Sequence, residues 1–516
     1  MESVSTPTAW YRSVQFIVLA AILLPPVGLV LLWMRRETET GKKVFGSLGI
    51  FALGLVYVFV LRDSVAFFFA EPDPRMDAHY AELERQRAQQ REMAASNTAA
   101  LSTSDQPSSA AGNANATANE SNPTAAVRST RTYWTDFRGP ARDGRYDEAA
   151  IQTAWPAEGL RLLWKQPIGG GYASFVVAEG VAFTIEQRRQ QEVVAAYEVE
   201  TGRELWIHST DAEFKESMGG DGPRATPTWE SGRLYALGAE GDLNCLDAKT
   251  GKLNWAKNIL KDAGADNLPW GMAGSPLIVD DKVVVLPGGR SGKSVVAYNK
   301  QTGAQVWKSL NDTQGYVSPM LVTLAGKRQI LVVSANRIVG LAVEDGALLW
   351  ETSWNTDMGI NVSQPVIIDD NRFFVSSGYG KGSALVEITG TGDGLAARKV
   401  WENISMKNKF NSSVLHEGNV YGLDEGILTC VDVKTGDRKW KGGRYGYGQM
   451  LLASGHLIII TDTGELVLVK ATPDKHTEVA RFSAIEGKTW NYPAIADGRL
   501  LVRNQTQMAC FDLSGK

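Results

Sequence analysis

Cysteine is nearly missing from this 516-residue chain: there are three, Cys245, Cys430 and Cys510. No CxxC pair occurs, which excludes a cysteine zinc ribbon and a thioredoxin-like motif, and an odd count cannot close a complete disulfide framework. Histidine is as scarce: His79, His208, His416, His456 and His476 are scattered without zinc-ligand spacing. No nucleophile elbow and no Walker loop occurs. The stretch 288–294, GGRSGKS, lacks the four-residue spacer and the following helix that a phosphate loop requires, and it reads as a hairpin loop. Nor is there an excess of charge of either sign, with 53 Lys+Arg against 57 Asp+Glu. A nucleic-acid partner, which selects for a basic face, is therefore not expected.

Glycine is plentiful at 52 residues, and seven of the 15 tryptophans recur periodically. The chain divides by composition. Residues 14–34 and 44–61 are apolar runs close to the length that spans a bilayer, so residues 1–62 read as a transmembrane helical hairpin. The first run contains Pro25-Pro26, which membrane helices tolerate. Arg35, Arg36, Lys42 and Lys43 crowd the short loop between the runs. The positive-inside rule puts that loop in the cytoplasm and everything after Leu61 outside. Residues 63–100 are charged and Ala/Gln/Glu/Arg-rich, and they read as an exposed helical stalk. Residues 101–130 have almost no large apolar side chains and are expected to be a disordered linker. From residue 131 onward, short apolar runs alternate with Gly and Asp turns, the pattern of an all-β domain.

One unit repeats through that domain: a strand, an Asp-x-x-Thr-Gly turn, then Trp four residues after the Gly. It reads AYEVETGRELW, CLDAKTGKLNW, AYNKQTGAQVW, GLAVEDGALLW and CVDVKTGDRKW. The markers are Trp164, Trp206, Trp255, Trp307, Trp350, Trp401 (after a longer turn), Trp440 and, in place of Trp, Phe482. They lie 39–52 residues apart, which suits four strands per unit. Eight markers predict an eight-bladed β-propeller. The chain ends on CFDLSGK, which stops at the turn, while LRLLWKQP near residue 160 is an outer strand without its inner three. The two pieces complete each other, so one blade is predicted to be shared by both termini, closing the ring. Cys245 and Cys430 occupy a slot held by Ala196, Ala297 and Gly340 in other units, and they read as small packed residues.

These repeats resemble those of pyrroloquinoline-quinone-like propellers. That family includes quinoprotein alcohol and glucose dehydrogenases and the outer-membrane assembly lipoprotein of the barrel-assembly machinery. Residues 137–144, FRGPARDG, look like the opening motif of a bacterial branch of the family. The resemblance implies a bacterial inner-membrane protein with its propeller in the periplasm. Two departures stand out. The assembly lipoprotein carries a lipidated N-terminal Cys, and this chain has none before Cys245. Quinoprotein alcohol dehydrogenases have a vicinal Cys-Cys, and no two Cys are adjacent here.

The loops leading into each innermost strand should line one mouth of the central channel. Arg224, Trp270, Asn361, Lys407, Lys409, Trp490 and Asn491 stand out in them as ligand-binding candidates, with cations and amides to hold an anionic or carbonyl-bearing ligand over a Trp floor. The alternative is that these polar groups bond loop backbone and the tryptophans fill the channel. A calcium–pyrroloquinoline-quinone site would need convergent acids and amides, for which Asp221, Asp266, Asp357, Asn361 and Asn491 are the candidates. No catalytic residue and no metal ligand is assigned. Three readings follow: a non-catalytic scaffold that binds a protein segment or small ligand at the channel face, a quinone-dependent dehydrogenase linked to the membrane, or an envelope assembly factor.

Overall fold

The computed structural model describes residues 74–103, 133–392 and 394–515, with isolated positions between 32 and 50. Most of the two apolar runs and most of the 101–130 linker lie outside the described residues. Among the described residues no helix is long and apolar enough to cross a membrane.

Eight four-stranded antiparallel blades form the all-β ring. Seven are contiguous: residues 176–210, 228–258, 277–309, 320–353, 366–403, 414–444 and 449–483. The eighth joins three C-terminal strands, Ala494–Ala496, Arg499–Arg503 and Gln507–Asp512, to the outer strand Leu162–Pro167. The last two pair antiparallel, with Trp164 opposite Cys510.

The repeat is explained by packing between blades. In most blades the Trp lies opposite a small residue: Ala196 for Trp206, Cys245 for Trp255, Ala297 for Trp307, Gly340 for Trp350 and Cys430 for Trp440, whereas Trp401 faces Leu385. All three cysteines are buried and unpaired in this slot. The indole then reaches into the next blade. Trp164, Trp206, Trp255, Trp307, Trp401 and Trp440 donate Nε1–H to Val199, Ala248, Lys300, Val343, Val433 and Thr472 carbonyls, at 2.7–3.1 Å. Trp350 is the exception, since blade 5 replaces the short turn with the long hairpin Gly382–Thr391/Gly394–Asn403. Its Nε1–H turns back to Gln329 of its own blade.

Two features depart from the sequence reading. The helix Pro74–Thr103, α1, is not an exposed stalk between His79 and Arg91. It lies against blades 8 and 1, burying Tyr80, Leu83 and Arg87. Arg87 donates to Gln166 Oε1 (2.7 Å) and the Pro167 carbonyl (2.9 Å) on the closing strand, and pairs with Glu204 of blade 1 (3.5 Å). His79 bonds the Ile168 carbonyl at 2.8 Å. The second feature is a loop, residues 133–147, that occupies the axis. Its strand Arg145–Tyr146 adds to blade 7 in parallel, giving that sheet a fifth strand.

Candidate functional site

At the start of each inner strand a short polar side chain is spent on the neighbouring blade. Thr226 Oγ1 accepts from Ser174 N (2.9 Å), Ser275 Oγ from Thr226 N (3.1 Å) and Ser318 Oγ from Ser275 N (2.9 Å). Gln364 Oε1 and Ser412 Oγ continue the series, accepting from Ser318 N and Gln364 N. Gln449 bridges blades 6 and 8 through the Phe410 and Trp490 carbonyls, and Ser174 Oγ–H closes the belt on the Tyr492 carbonyl. This belt holds the rim of the channel at one diameter and leaves its hydroxyls committed.

Below the belt the axial loop shuts the channel. Trp134 and Thr135 carbonyls accept from Val177 and Trp229. Arg142 pairs with Asp136 (2.8 Å) and donates to the carbonyls of Ser275, Pro276 and Pro319, gathering blades 3 and 4. Arg138 donates to the Ser413 carbonyl (2.8 Å) and lies over the Tyr492 ring, against which Phe137 also packs edge-on at 5.1 Å. Arg145 reaches the Leu415 carbonyl. The FRGPARDG segment is thus a plug, and the mouth above it is a blind funnel. Sequence reading missed this role, because the arginines meet main-chain carbonyls that no sequence pattern announces.

The funnel wall is aromatic. Trp490 stacks with Phe410 at 5.0 Å and with Tyr172 at 5.6 Å, and meets Tyr447 edge-on at 5.9 Å. Phe410 and Tyr447 touch at 4.9 Å, and Trp270 meets Tyr316 at 5.8 Å on the other side. Three cations sit on these rings. Lys488 Nζ lies 3.7 Å from the Trp490 centroid. Lys409 lies between Tyr379 and Tyr447, at 5.5 and 5.7 Å. The Arg224 guanidinium lies 4.4 Å from Phe214 and 5.5 Å from Tyr172, and donates to the Gly220 and Gly222 carbonyls. Burial pushes the Lys488 ammonium pKa down, opposed by the attraction of Glu216 and aided by the repulsion of Arg224.

The candidates therefore separate. Lys409, Trp490, Arg224 and Trp270 stand on the funnel. Asn361 is buried, its Nδ2 donating to the Ser334 and Ala335 carbonyls and its Oδ1 accepting from Ser377. Asn491 is likewise turned to the Gly171 and Ala173 carbonyls. Lys407 pairs with Glu425 at 2.9 Å. Tyr172, Phe410, Tyr447 and Lys488 complete the wall. All four lie in the same eight loops, and aromatic content alone would have added the three rings.

A family model described as outer membrane protein assembly factor BamB matches residues 189–442. Over those residues the propeller is similar to the pyrroloquinoline-quinone-like repeat family. Among its relatives, BamB of Bordetella pertussis is 22% identical over 58% of this chain and 72% of that one. The 1-butanol dehydrogenase (cytochrome c) of Thauera butanivorans is 28% identical over 28% of this chain. The chain spans about a fifth of that enzyme's length, 21%. The solved quinohemoprotein alcohol dehydrogenase ADHIIG from Pseudomonas putida HK5 shares the fold with a TM-score of 0.54 at 15% identity, covering 75% of this chain and 81% of that one.

Asp266 and Asp357 are exposed on different blades' loops, and Asp221 accepts from Glu216 N. Both candidate asparagines have spent their amide nitrogens on carbonyls. Among the described residues no three of His, Cys, Asp or Glu come together as a metal site. These residues do not assemble a calcium–quinone site.

Proposed function

We propose that this protein is a membrane-tethered, non-catalytic binding propeller that captures a segment of a partner protein in its aromatic funnel. The observation that carries this reading is the stack of Tyr172, Trp490 and Phe410, with Tyr447 at its edge, above a channel closed by residues 133–147. A blind, ring-lined surface offers large contact area at low side-chain entropy cost, the composition that peptide-binding surfaces favour. The similarity to BamB, which extends over 72% of that chain, supports a role among envelope assembly factors. The tether is residues 1–62 as a hairpin in the inner membrane, with the propeller in the periplasm. It is supported by the two apolar runs, the four basic residues between them, and the bond from Trp33 Nε1–H to Ser47 Oγ (2.9 Å) that joins the ends of the runs. The alternative is a pyrroloquinoline-quinone-dependent dehydrogenase, favoured by the 28% identity to the butanol dehydrogenase segment.

A photo-crosslinking amino acid at Tyr447, compared with one at Lys252 on the far-side turn, tests the reading in cells. A discrete adduct from Tyr447 and none from Lys252 is expected. Equal labelling from both positions, or none from Tyr447, would contradict it. An alkaline phosphatase fusion after residue 130 tests the orientation: activity is expected, and an inactive fusion would place the propeller in the cytoplasm.

A further inference from the structure

The cations of the funnel are unusual in what they lack. Among the described residues neither Lys409, Lys488 nor Arg224 has a carboxylate within ion-pair distance. Lys488 spends its ammonium on the Met218 and Gly219 carbonyls and on the Trp490 face. Arg224 spends its guanidinium on two glycine carbonyls and two rings. Lys409 has only the faces of two tyrosines. Elsewhere on the propeller exposed cations find acids readily, as Arg328 does with Asp280 and Arg481 with Glu465 and Glu478.

The carboxylates nearest the three are turned away. Glu216 accepts from the main-chain N–H groups of Met218, Gly219 and Gly220. Asp221 accepts from Glu216 N, and Asp462 from Tyr447 N. These acids fix loops and form no ion pair with the cations, on which Glu216 acts only at longer range.

The groups form one continuous arc. Arg224 lies on Tyr172, Tyr172 stacks on Trp490 beneath Lys488, Trp490 meets Tyr447, and Lys409 joins Tyr447 to Tyr379. Loops of six of the eight blades contribute to it. A cation held against an aromatic face is partly desolvated, which raises what an incoming carboxylate gains. Deeper in the axis, Arg138 is buried with Nε and Nη1 lacking any hydrogen-bond partner, so positive potential persists below the rings.

We propose that the arc takes an extended acidic peptide in which carboxylates alternate with aromatic side chains, the carboxylates meeting Lys409, Lys488 and Arg224 and the aromatics, on the opposite face of the strand, turned to the Trp270–Tyr316 side of the funnel. This rests on the reading of the funnel as a protein-segment site and names the chemistry of the segment. In an extended strand, side chains two apart share a face roughly 7 Å apart, so an i, i+2 series of acids can follow the arc while the alternate residues face away from it across the funnel. A nucleic acid, the other polyanion with stacking groups, is an outcome of the test.

The experiment uses the full chain in detergent and three fluorescent decapeptides, with (Glu-Tyr)5, (Lys-Tyr)5 and (Glu-Ser)5 sequences, followed by anisotropy at 50 and 300 mM salt. Oligo-dT of ten nucleotides serves as the fourth probe. The (Glu-Tyr)5 peptide is expected to bind at least roughly tenfold more tightly than the other two peptides and to weaken with salt. The pair Lys409→Glu and Lys488→Glu should abolish that preference, while Lys252→Glu on the far-side turn leaves it intact. Circular dichroism and the unfolding midpoint of each variant verify folding. Equal binding of (Lys-Tyr)5 that still depends on Trp490 would overturn the acidic class and leave the protein-segment reading standing. Tighter binding of oligo-dT would overturn both, as would peptide binding that none of the mouth substitutions affects.

Discussion

The indole of Trp206 lies on the α-carbon of Gly251 in the following blade. A Cβ built at Gly251 would meet the ring at 2.5 Å, and the residue sits at φ +72°. The same ring donates to the Ala248 carbonyl three residues earlier in that turn. The Thr-Gly turn of one blade is therefore the seat for the Trp of the blade before it, which is why the two recur together.

Replacing Gly251 with Ala tests this seat. The substitution combines a left-handed backbone with a ring that must move, so a loss of about 2–3 kcal/mol is expected. Gly232, also at positive φ but with open space around a built Cβ, should lose about 1 kcal/mol when changed to Ala. Denaturant unfolding of the two variants measures the difference. Equal losses would mean that the indole contributes nothing at this seat.

The helix α1 was not legible as a docked element, and the reason is physical. Sequence reading relies on an apolar stripe, and the buried face of α1 is made by Tyr80, Leu83 and Arg87. An arginine that becomes buried through Gln166, Pro167 and Glu204 looks the same in sequence as one in solvent. The eight blades were legible because Trp and Gly mark contacts that recur in every unit. The plug was not, since Arg138 and Arg142 act through carbonyls of distant blades. Nor does sequence reveal which way an amide points, and so Asn361 and Asn491 could not be told apart from Lys409 and Trp490.

Arg87→Met should weaken the propeller by about 3 kcal/mol, because Glu204 loses a buried partner while keeping its own burial. Arg188 remains as a second partner of Glu204 at 2.6 Å and limits the loss. Combining Arg87→Met with Glu204→Gln should cost less than the sum of the two single changes. Unfolding of the full chain in detergent, by tryptophan fluorescence against denaturant, gives the cycle. Strict additivity would show that the ion pair adds no coupling.

Arg142→Ala tests the plug. It leaves Asp136 buried without its cation and frees three carbonyls of blades 3 and 4. A loss of about 3–5 kcal/mol is expected, together with faster hydrogen exchange at Ser275 and Ser318 in the belt. Unchanged exchange there would mean that the belt holds the mouth without the plug.

Glu192 gives the stability a pH dependence. It is buried, with Oε1 accepting from Ala239 N and Oε2 without a partner. Burial, then the nearby Asp242 and Glu240, raises its pKa from 4.5 to about 7. The folded state therefore binds this proton more tightly than the unfolded chain. The resulting stabilisation is complete below pH 4.5 and is lost as pH rises toward 7, about 3 kcal/mol in all. Glu192→Gln should remove that slope and leave the protein more stable than the parent at pH 8. Parallel stability profiles for the two proteins between pH 4.5 and 8 would contradict the assignment.

The central claim, a funnel that binds without chemistry, is tested most directly by adding pyrroloquinoline quinone and calcium to the full chain. Thermal stability and bound chromophore are then followed together. The account predicts no stoichiometric chromophore and no rise in the unfolding midpoint at saturating quinone. A one-to-one chromophore with a clear upward shift would contradict it and favour the dehydrogenase.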